Sequence, residues 1–298
     1  MQSVFCTRGP GKMPMKRKTA RTAPRFFPRK GLGQHFLIDT NAIEKVIRVA
    51  DLDPSDVVLE IGPGRGEMTR FLAQDSRKVI AVEIDGVLAA ELAEKTVPLG
   101  NVEVKHGDAL KVDLNEICRG MATKLKVVAN LPYQISTPLL MRFLVERHLF
   151  SSMILMFQKE VALRIVAEPR TKDYGFLSVL IQTYTTPTVE MFLPPNCFFP
   201  RPRVDSAVVR FLIHEKPKVE VHDEVAFRRV VRACFGHRRK MLKNALRSIL
   251  PEDRLAAEAQ RIVEDVGIDP TRRAETLSLE EFSRLTGRFL PYLSRSES

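Results

Sequence analysis

From residue 57 to residue 157, short apolar runs alternate with stretches whose apolar residues recur at helical spacing. The runs VVLEI (57–61), VIAVE (79–83), NVEVK (101–105), KVVAN (126–130) and MILMF (153–157) predict strands. Helices are predicted between them near 66–75, 87–96 and 137–147, and after them near 159–167 and 175–185. Strands alternating with helices imply a parallel sheet covered on both faces, since parallel neighbours need a long crossover. Two further runs, PTVEMFL (187–193) and DSAVVRFLI (205–213), flank the proline-rich PPNCFFPRPR and predict an antiparallel pair at one sheet edge. Beyond about residue 217 the pattern is purely helical, with GIDP (267–270) as a turn. EKPKVEVHD (215–223), at a boundary near 214–222, reads as the linker. The expected organisation is an α/β domain at 31–216 followed by a smaller all-helical domain at 217–298.

Composition narrows the function classes. No apolar run reaches the roughly 20 residues that a membrane helix needs. The four cysteines (Cys6, Cys118, Cys197, Cys234) form no CxxC pair, and the six histidines form no HExxH. A disulfide scaffold and a metal centre are therefore not expected, and a reducing, cytoplasmic setting is. The 47 Lys+Arg against 36 Asp+Glu give a net charge of +11, which points to a polyanionic partner.

The placement of that charge says more. Residues 1–30 hold nine basic residues, from Arg8 to Lys30, with four prolines and no acid. This reads as a disordered basic arm. A start placed upstream of a native Met13 or Met15, and a mitochondrial transit peptide, are the alternatives. A second cluster lies inside the fold. Arg228, Arg229, Arg232, Arg238, Arg239, Lys240, Lys243 and Arg247 occur without a single intervening acid. Val231, Phe235, Leu242 and Leu246 interleave at helical spacing, so one face can pack while the other stays cationic and faces phosphates.

Candidate chemistry begins at VLEIGPGRGEMT (58–69), a strand running into Gly62-x-Gly64-x-Gly66 and then a helix. The dinucleotide fingerprint needs GxGxxG, and here Glu67 displaces the third glycine. A turn this tight leaves no room for a pyrophosphate and suits a smaller nucleoside with a short polar tail. Glu83 ends the next strand, with Asp85 just beyond, where a carboxylate can accept both ribose hydroxyls. Asp108 follows the third strand and can accept from an adenine amine. Acids at the carboxyl ends of successive strands, beside a glycine loop, predict an S-adenosylmethionine site. The fourth strand ends in Asn130-Leu131-Pro132-Tyr133. There an amide oxygen and the Leu131 carbonyl can accept protons from an exocyclic amine, and Tyr133 offers a ring to a base.

With these motifs in place, the chain resembles the KsgA-type ribosomal RNA adenine dimethyltransferases from about Lys30 to about Pro291. The resemblance rests on GLGQHFLID (31–39), LEIGPGRGEMT (59–69), VIAVEID (79–85), GDAL (107–110), ANLPYQISTPLL (129–140), FQKEVALRI (157–165), PRPRVDSAVVR (200–210) and GIDPTRRAETLS (267–278). His35 and Gln134 stand where many bacterial members have Asn. The resemblance implies a Rossmann-like S-adenosylmethionine-dependent enzyme. Its activity would be to dimethylate two adjacent adenosines near the 3′ end of small-subunit ribosomal RNA, on an assembling subunit and as a monomer. It further implies that His35 and Leu37 close over the cofactor, Gly62 lies against its methionine part, Glu83 holds the ribose and Asp108 the adenine. Asn130 would sit between cofactor and target, with Leu131 and Tyr133 beside it. An aromatic residue of CFFP would face Tyr133 across the target base, Phe198 first and Phe199 second. Without the resemblance, both phenylalanines are as readily core residues. Two other readings are a small-molecule methyltransferase, disfavoured by the basic cluster, and a non-catalytic assembly or transcription factor, disfavoured by the intact tetrad.

Overall fold

The computed structural model describes residues 33–237, 239–250 and 257–293. The basic arm read at 1–30 and Arg238 of the second cluster lie outside the described residues.

A short strand, β1 (Phe36–Leu37), leads into helix α1 (Thr40–Ala50). Five parallel strands follow: β2 (Val57–Ile61), β3 (Lys78–Glu83), β4 (Val102–His106), β5 (Leu125–Asn130) and β6 (Phe150–Gln158). Helices α2 (Thr69–Asp75), α3 (Gly86–Thr96), α4 (Leu114–Ile117) and α5 (Tyr133–Val145) connect them. After α6 (Lys159–Val166) and α7 (Phe176–Tyr184), strand β7 (Thr185–Leu193) is followed by the two-residue β8 (Phe198–Phe199) and by β9 (Ser206–Ile213). The seven-stranded sheet runs β4-β3-β2-β5-β6-β9-β7, and β1 and β8 form a separate ribbon. Strand β9 pairs antiparallel with both β6 and β7, so it is the one reversed strand and β7 is the edge. The expected antiparallel pair is present, with its second member inside the sheet.

All five residues of β2 are buried, as expected of a strand covered on both faces, which explains why these strands read as continuous apolar runs. Two helix starts differ from expectation and one helix is additional, each for a local reason. Helix α2 starts at Thr69 because the loop keeps left-handed backbone at Gly62, Gly64 and Gly66. Helix α5 starts at Tyr133, immediately after Pro132, and takes Pro138 into its second turn. Helix α1 was not anticipated. Asp39 caps it by accepting from the Ala42 N–H, and Ala42, Ile43, Val46, Ile47 and Ala50 form its buried stripe.

Past Ile213 the described chain has no further strand. Helices α8 (Glu224–Gly236), α9 (Leu242–Ala245), α10 (Ala257–Asp265) and α11 (Leu279–Leu293) complete it. Their apolar faces join the core on one side of the sheet, where Phe227, Phe282 and Phe289 belong to the same cluster as Phe143 and Tyr184. Arg147 links the two regions by a bidentate ion pair to Glu224 and by stacking its guanidinium 4.2 Å from the Tyr184 ring centroid. Within the basic cluster, Val231, Leu242 and Leu246 are buried, while Arg229, Arg232, Arg239, Lys240 and Arg247 are exposed. The amphipathic expectation holds there.

Candidate active site

Strands β2 to β5 all present their carboxyl ends to one cleft of about 190 Å³. The chain winds from β2 outward to β4, then crosses back to β5. The cleft thus sits where the strand order reverses, the place open α/β sheets use for ligands. Residues 33–36 close it from the side.

The glycine loop forms one wall. Gly62 and Gly64 have φ of 65° and 57°, in the left-handed region. A Cβ on Gly64 would lie 2.5 Å from the Phe36 ring, so only glycine lets that ring roof the loop. Glu83 is 3% exposed and ends β3 on the cleft wall. Its Oε2 accepts from the Gly64 N–H at 3.0 Å and its Oε1 from the Asp85 N–H at 2.9 Å. Burial pushes its pKa up, and these backbone donors oppose that rise. Asp85 caps α3 by accepting from the Val87 N–H at 3.0 Å. Asp108 lines the cleft beyond β4. Its Oδ1 accepts from the Leu110 N–H at 2.9 Å, and Lys111 Nζ lies 3.7 Å from its Oδ2.

The Asn130–Tyr133 segment forms the opposite wall. Asn130 Nδ2 donates to the His35 carbonyl at 2.7 Å, which commits its amine side and leaves Oδ1 as an acceptor. The Leu131 side chain is buried. Tyr133 bonds Ser206 Oγ at 2.6 Å, and the His35 imidazole stacks on its ring with centroids 5.4 Å apart. His35 Nδ1 donates to the Pro200 carbonyl at 2.7 Å. A smaller hollow adjoins the cleft at Gly62 and Asn130 and is lined by Leu37, Glu60 and Met68. Glu60 is 1% exposed, and neither of its carboxylate oxygens has a hydrogen-bond partner. Burial raises its pKa from 4.5 to about 8.

The structure therefore brings His35, Gly62, Glu83, Asp108, Asn130, Leu131 and Tyr133 to one cleft, with Leu37 on the adjoining hollow. Phe198 requires a correction. In the β1–β8 ribbon Leu37 faces Phe198 and Phe36 faces Phe199. Opposed residues share a face, and Leu37 and Phe198 both point into the core. Phe198 is 1% exposed among Ile43, Val46 and Val208, so the structure places it in the core and not on the cleft wall beside Tyr133. The ring on Tyr133 is that of His35. Sequence reasoning also missed Phe36, Glu60 and Ser206. A signal existed only for Glu60, an acid inside an otherwise apolar strand.

The model of the family described as ribosomal RNA adenine dimethylase matches residues 26–285. The chain belongs to that family. The chain is 48% identical over 273 residues to the ribosomal RNA small subunit methyltransferase A of Pelotomaculum thermopropionicum, covering 88% of this chain and 92% of that protein. The protein of the same name from Geobacillus kaustophilus is 44% identical, covering 91% and 94%. Among solved structures, a dimethyladenosine transferase from Plasmodium falciparum superposes with a TM-score of 0.72 at 27% identity, over 86% of this chain and 98% of that one. The 23S rRNA methyltransferase ErmE gives 0.63 at 27%, over 85% and 98%. The dimethylase is thus an S-adenosylmethionine-dependent rRNA adenine methyltransferase, and the small-molecule and non-catalytic readings fall. Among the described residues no helix is long and apolar enough to cross a membrane, and no cluster of His, Cys, Asp or Glu could hold a metal.

The cleft fits the cofactor. An ionised carboxylate has about four acceptor positions. Two of Glu83's are taken by backbone, which leaves two for vicinal ribose hydroxyls. The orphaned Glu60 carboxylate lines the hollow next to Gly62, where a cationic amino group would satisfy it.

Proposed function

We propose that the dimethylase transfers two methyl groups to the exocyclic amine of each of two adjacent adenosines near the 3′ end of small-subunit ribosomal RNA. It does so in the cytoplasm, as a monomer, on a subunit still being assembled. The relatives named small subunit methyltransferase A support the choice of subunit. The observation that carries the chemistry is the committed Asn130 amide at the junction of cleft and hollow.

S-adenosylmethionine supplies an electrophilic methyl group on a sulfonium sulfur. Glu83 holds the ribose, Asp108 accepts from the cofactor's adenine amine, and His35, Leu37 and Gly62 enclose the methionine end. The target amine is a poor nucleophile because its lone pair is delocalised into the purine ring. Asn130 Oδ1 and the Leu131 carbonyl accept its two protons, which favours a pyramidal nitrogen with its lone pair directed at the methyl. Pro132 fixes the direction of the Leu131 carbonyl. Tyr133, braced by Ser206 and backed on one face by His35, stacks on the base with its other face. As the N–C bond forms the S–C bond breaks, and no carboxylate base is needed, because the cationic nitrogen is strongly acidic and gives its proton to water. Catalysis is orientation plus preorganised hydrogen bonding. Residues 31–216 carry this chemistry, and 217–298 hold the rRNA backbone through the arginines and lysines exposed on the described helices.

The test is labelled S-adenosylmethionine with unmethylated small subunits, followed by nucleoside analysis. Wild type yields dimethyladenosine, and Asn130→Ala lowers turnover by about 100-fold or more while cofactor affinity stays within several-fold. Wild-type-like turnover by that variant would refute the mechanism.

A further inference from the structure

The register that buries Phe198 turns Phe199 outward. Phe199 is opposed to Phe36 in the ribbon, so both side chains leave the same face, and Phe36 lines the cleft above Gly64. Phe199 is 53% exposed, a large apolar ring in solvent on the face of the ribbon that also carries Phe36. Its neighbour Pro200 accepts from His35 Nδ1, and His35 is the ring stacked on Tyr133. Phe199 is therefore tied to the proposed target site through Pro200 and His35.

The loop that follows completes the surface. Arg201 and Arg203 are both exposed and flank the buried Pro202. Neither makes an ion pair among the described residues. The one acid of this loop, Asp205, lies 3.4 Å from Lys159 Nζ. A bare aromatic face with two uncompensated guanidiniums in five residues matches single-stranded nucleic acid, whose bases stack and whose phosphates pair with cations.

We propose that Phe199, Arg201 and Arg203 form a second nucleotide site on the same rRNA. The Phe199 ring stacks on the base next to the adenosine at Tyr133, and the two arginines take the flanking phosphates. This rests on the target site described above and adds a binding position outside it. It gives the neighbouring adenosine a defined place while its partner is being methylated.

The experiment measures steady-state methylation of unmethylated small subunits by Phe199→Ala, Phe199→Trp, Phe199→Leu and the double variant Arg201→Ala/Arg203→Ala, with Asn130→Ala alongside. Phe199 is exposed, so its truncation leaves no cavity in the core. Phe199→Ala should raise the KM for subunits about tenfold, within the range for losing one base–aromatic stack, with S-adenosylmethionine affinity unchanged. Phe199→Trp should restore KM and Phe199→Leu should not. The double variant should flatten the dependence of log KM on log salt by up to about two units. A wild-type KM in Phe199→Ala, or full rescue by Leu, overturns the proposal. Retained turnover in Asn130→Ala overturns the target-site reading instead, so the two failures are separable.

Discussion

Replacing Glu60 by Gln tests how the buried end of the site is held. Glu60 is the fourth residue of β2, with neither oxygen in a well-formed hydrogen bond and a pKa raised to about 8, chiefly by burial, against the opposing pull of the nearby Thr69 hydroxyl, and further by the charge of Glu83. The unfolded chain gives up this proton near the ordinary 4.5. Between 4.5 and about 8 the folded state therefore binds more protons than the unfolded state. Stability is full below that window and falls as pH rises through it, with a limiting slope of about 1.4 kcal/mol per pH unit. Over two units this group removes up to about 3 kcal/mol, a large share of a total near 5–15. Gln keeps the shape and cannot titrate. Urea unfolding of the ligand-free protein at several pH values between about 5 and 8 should show Glu60→Gln gaining on wild type by about that slope. Carboxylates that do not interact with Glu60 cancel in the difference, and the coupled Glu83 adds a smaller contribution of its own. Parallel curves for the two proteins would mean an ordinary Glu60 and would refute the argument. A cationic amino group entering the hollow would stabilise the carboxylate. Cofactor binding near neutral pH should then release a proton in wild type, seen as a buffer-dependent calorimetric enthalpy, and none in the Gln variant.

Two further outcomes follow from the geometry. Glu83→Ala should weaken S-adenosylmethionine binding by about 1–3 kcal/mol, and Glu83→Gln should not rescue it, because the amide NH2 would face a backbone N–H of Gly64 or Asp85 in either orientation; an unchanged dissociation constant by titration calorimetry for Ala removes Glu83 from the site. Arg239→Ala with Lys240→Ala, both exposed, should weaken rRNA binding and lower the log K versus log salt slope by up to about two units, with cofactor affinity untouched; an identical slope in a salt titration moves the phosphate contacts elsewhere.

The central sheet was legible because strands covered on both faces must be apolar throughout, and Val57–Ile61 or Lys78–Glu83 meets that demand within a residue or two. The edge pair was legible as two strands, but its order was not. Whether β9 lies inside β7 depends on pairing to β6, and no local pattern encodes a partner about fifty residues away. Helix α1 was legible and went unread: Asp39, then apolar residues at helical spacing from Ala42 to Ala50, is an ordinary capped amphipathic helix. The start of α2 turned on backbone conformation. Three left-handed glycines postpone the first helical turn to Thr69, although the residues between them permit helix.

The site divides along the same physical line. Residues that stand at strand ends, Gly62, Glu83, Asp108 and Asn130, are placed by the sheet itself, so recognising the strands was enough to bring them together. Glu83 shows how far that placement goes. Its carboxylate holds the Gly64 N–H, so the acid proposed to face the ribose also fixes the shape of the loop beside it. Cofactor contact and loop conformation are one unit, and a substitution there disturbs both. What the strands could not place is the wall around Tyr133. That wall depends on a two-residue ribbon joining segments some 160 residues apart, in which a shift of one residue exchanges a core phenylalanine for a solvent-facing one. The same ribbon delivers the Pro200 carbonyl to His35 and so sets which ring lies on Tyr133. The residues proposed for methyl transfer are placed by the sheet, whereas the proposed nucleotide surface around them is set by the register of β1 against β8.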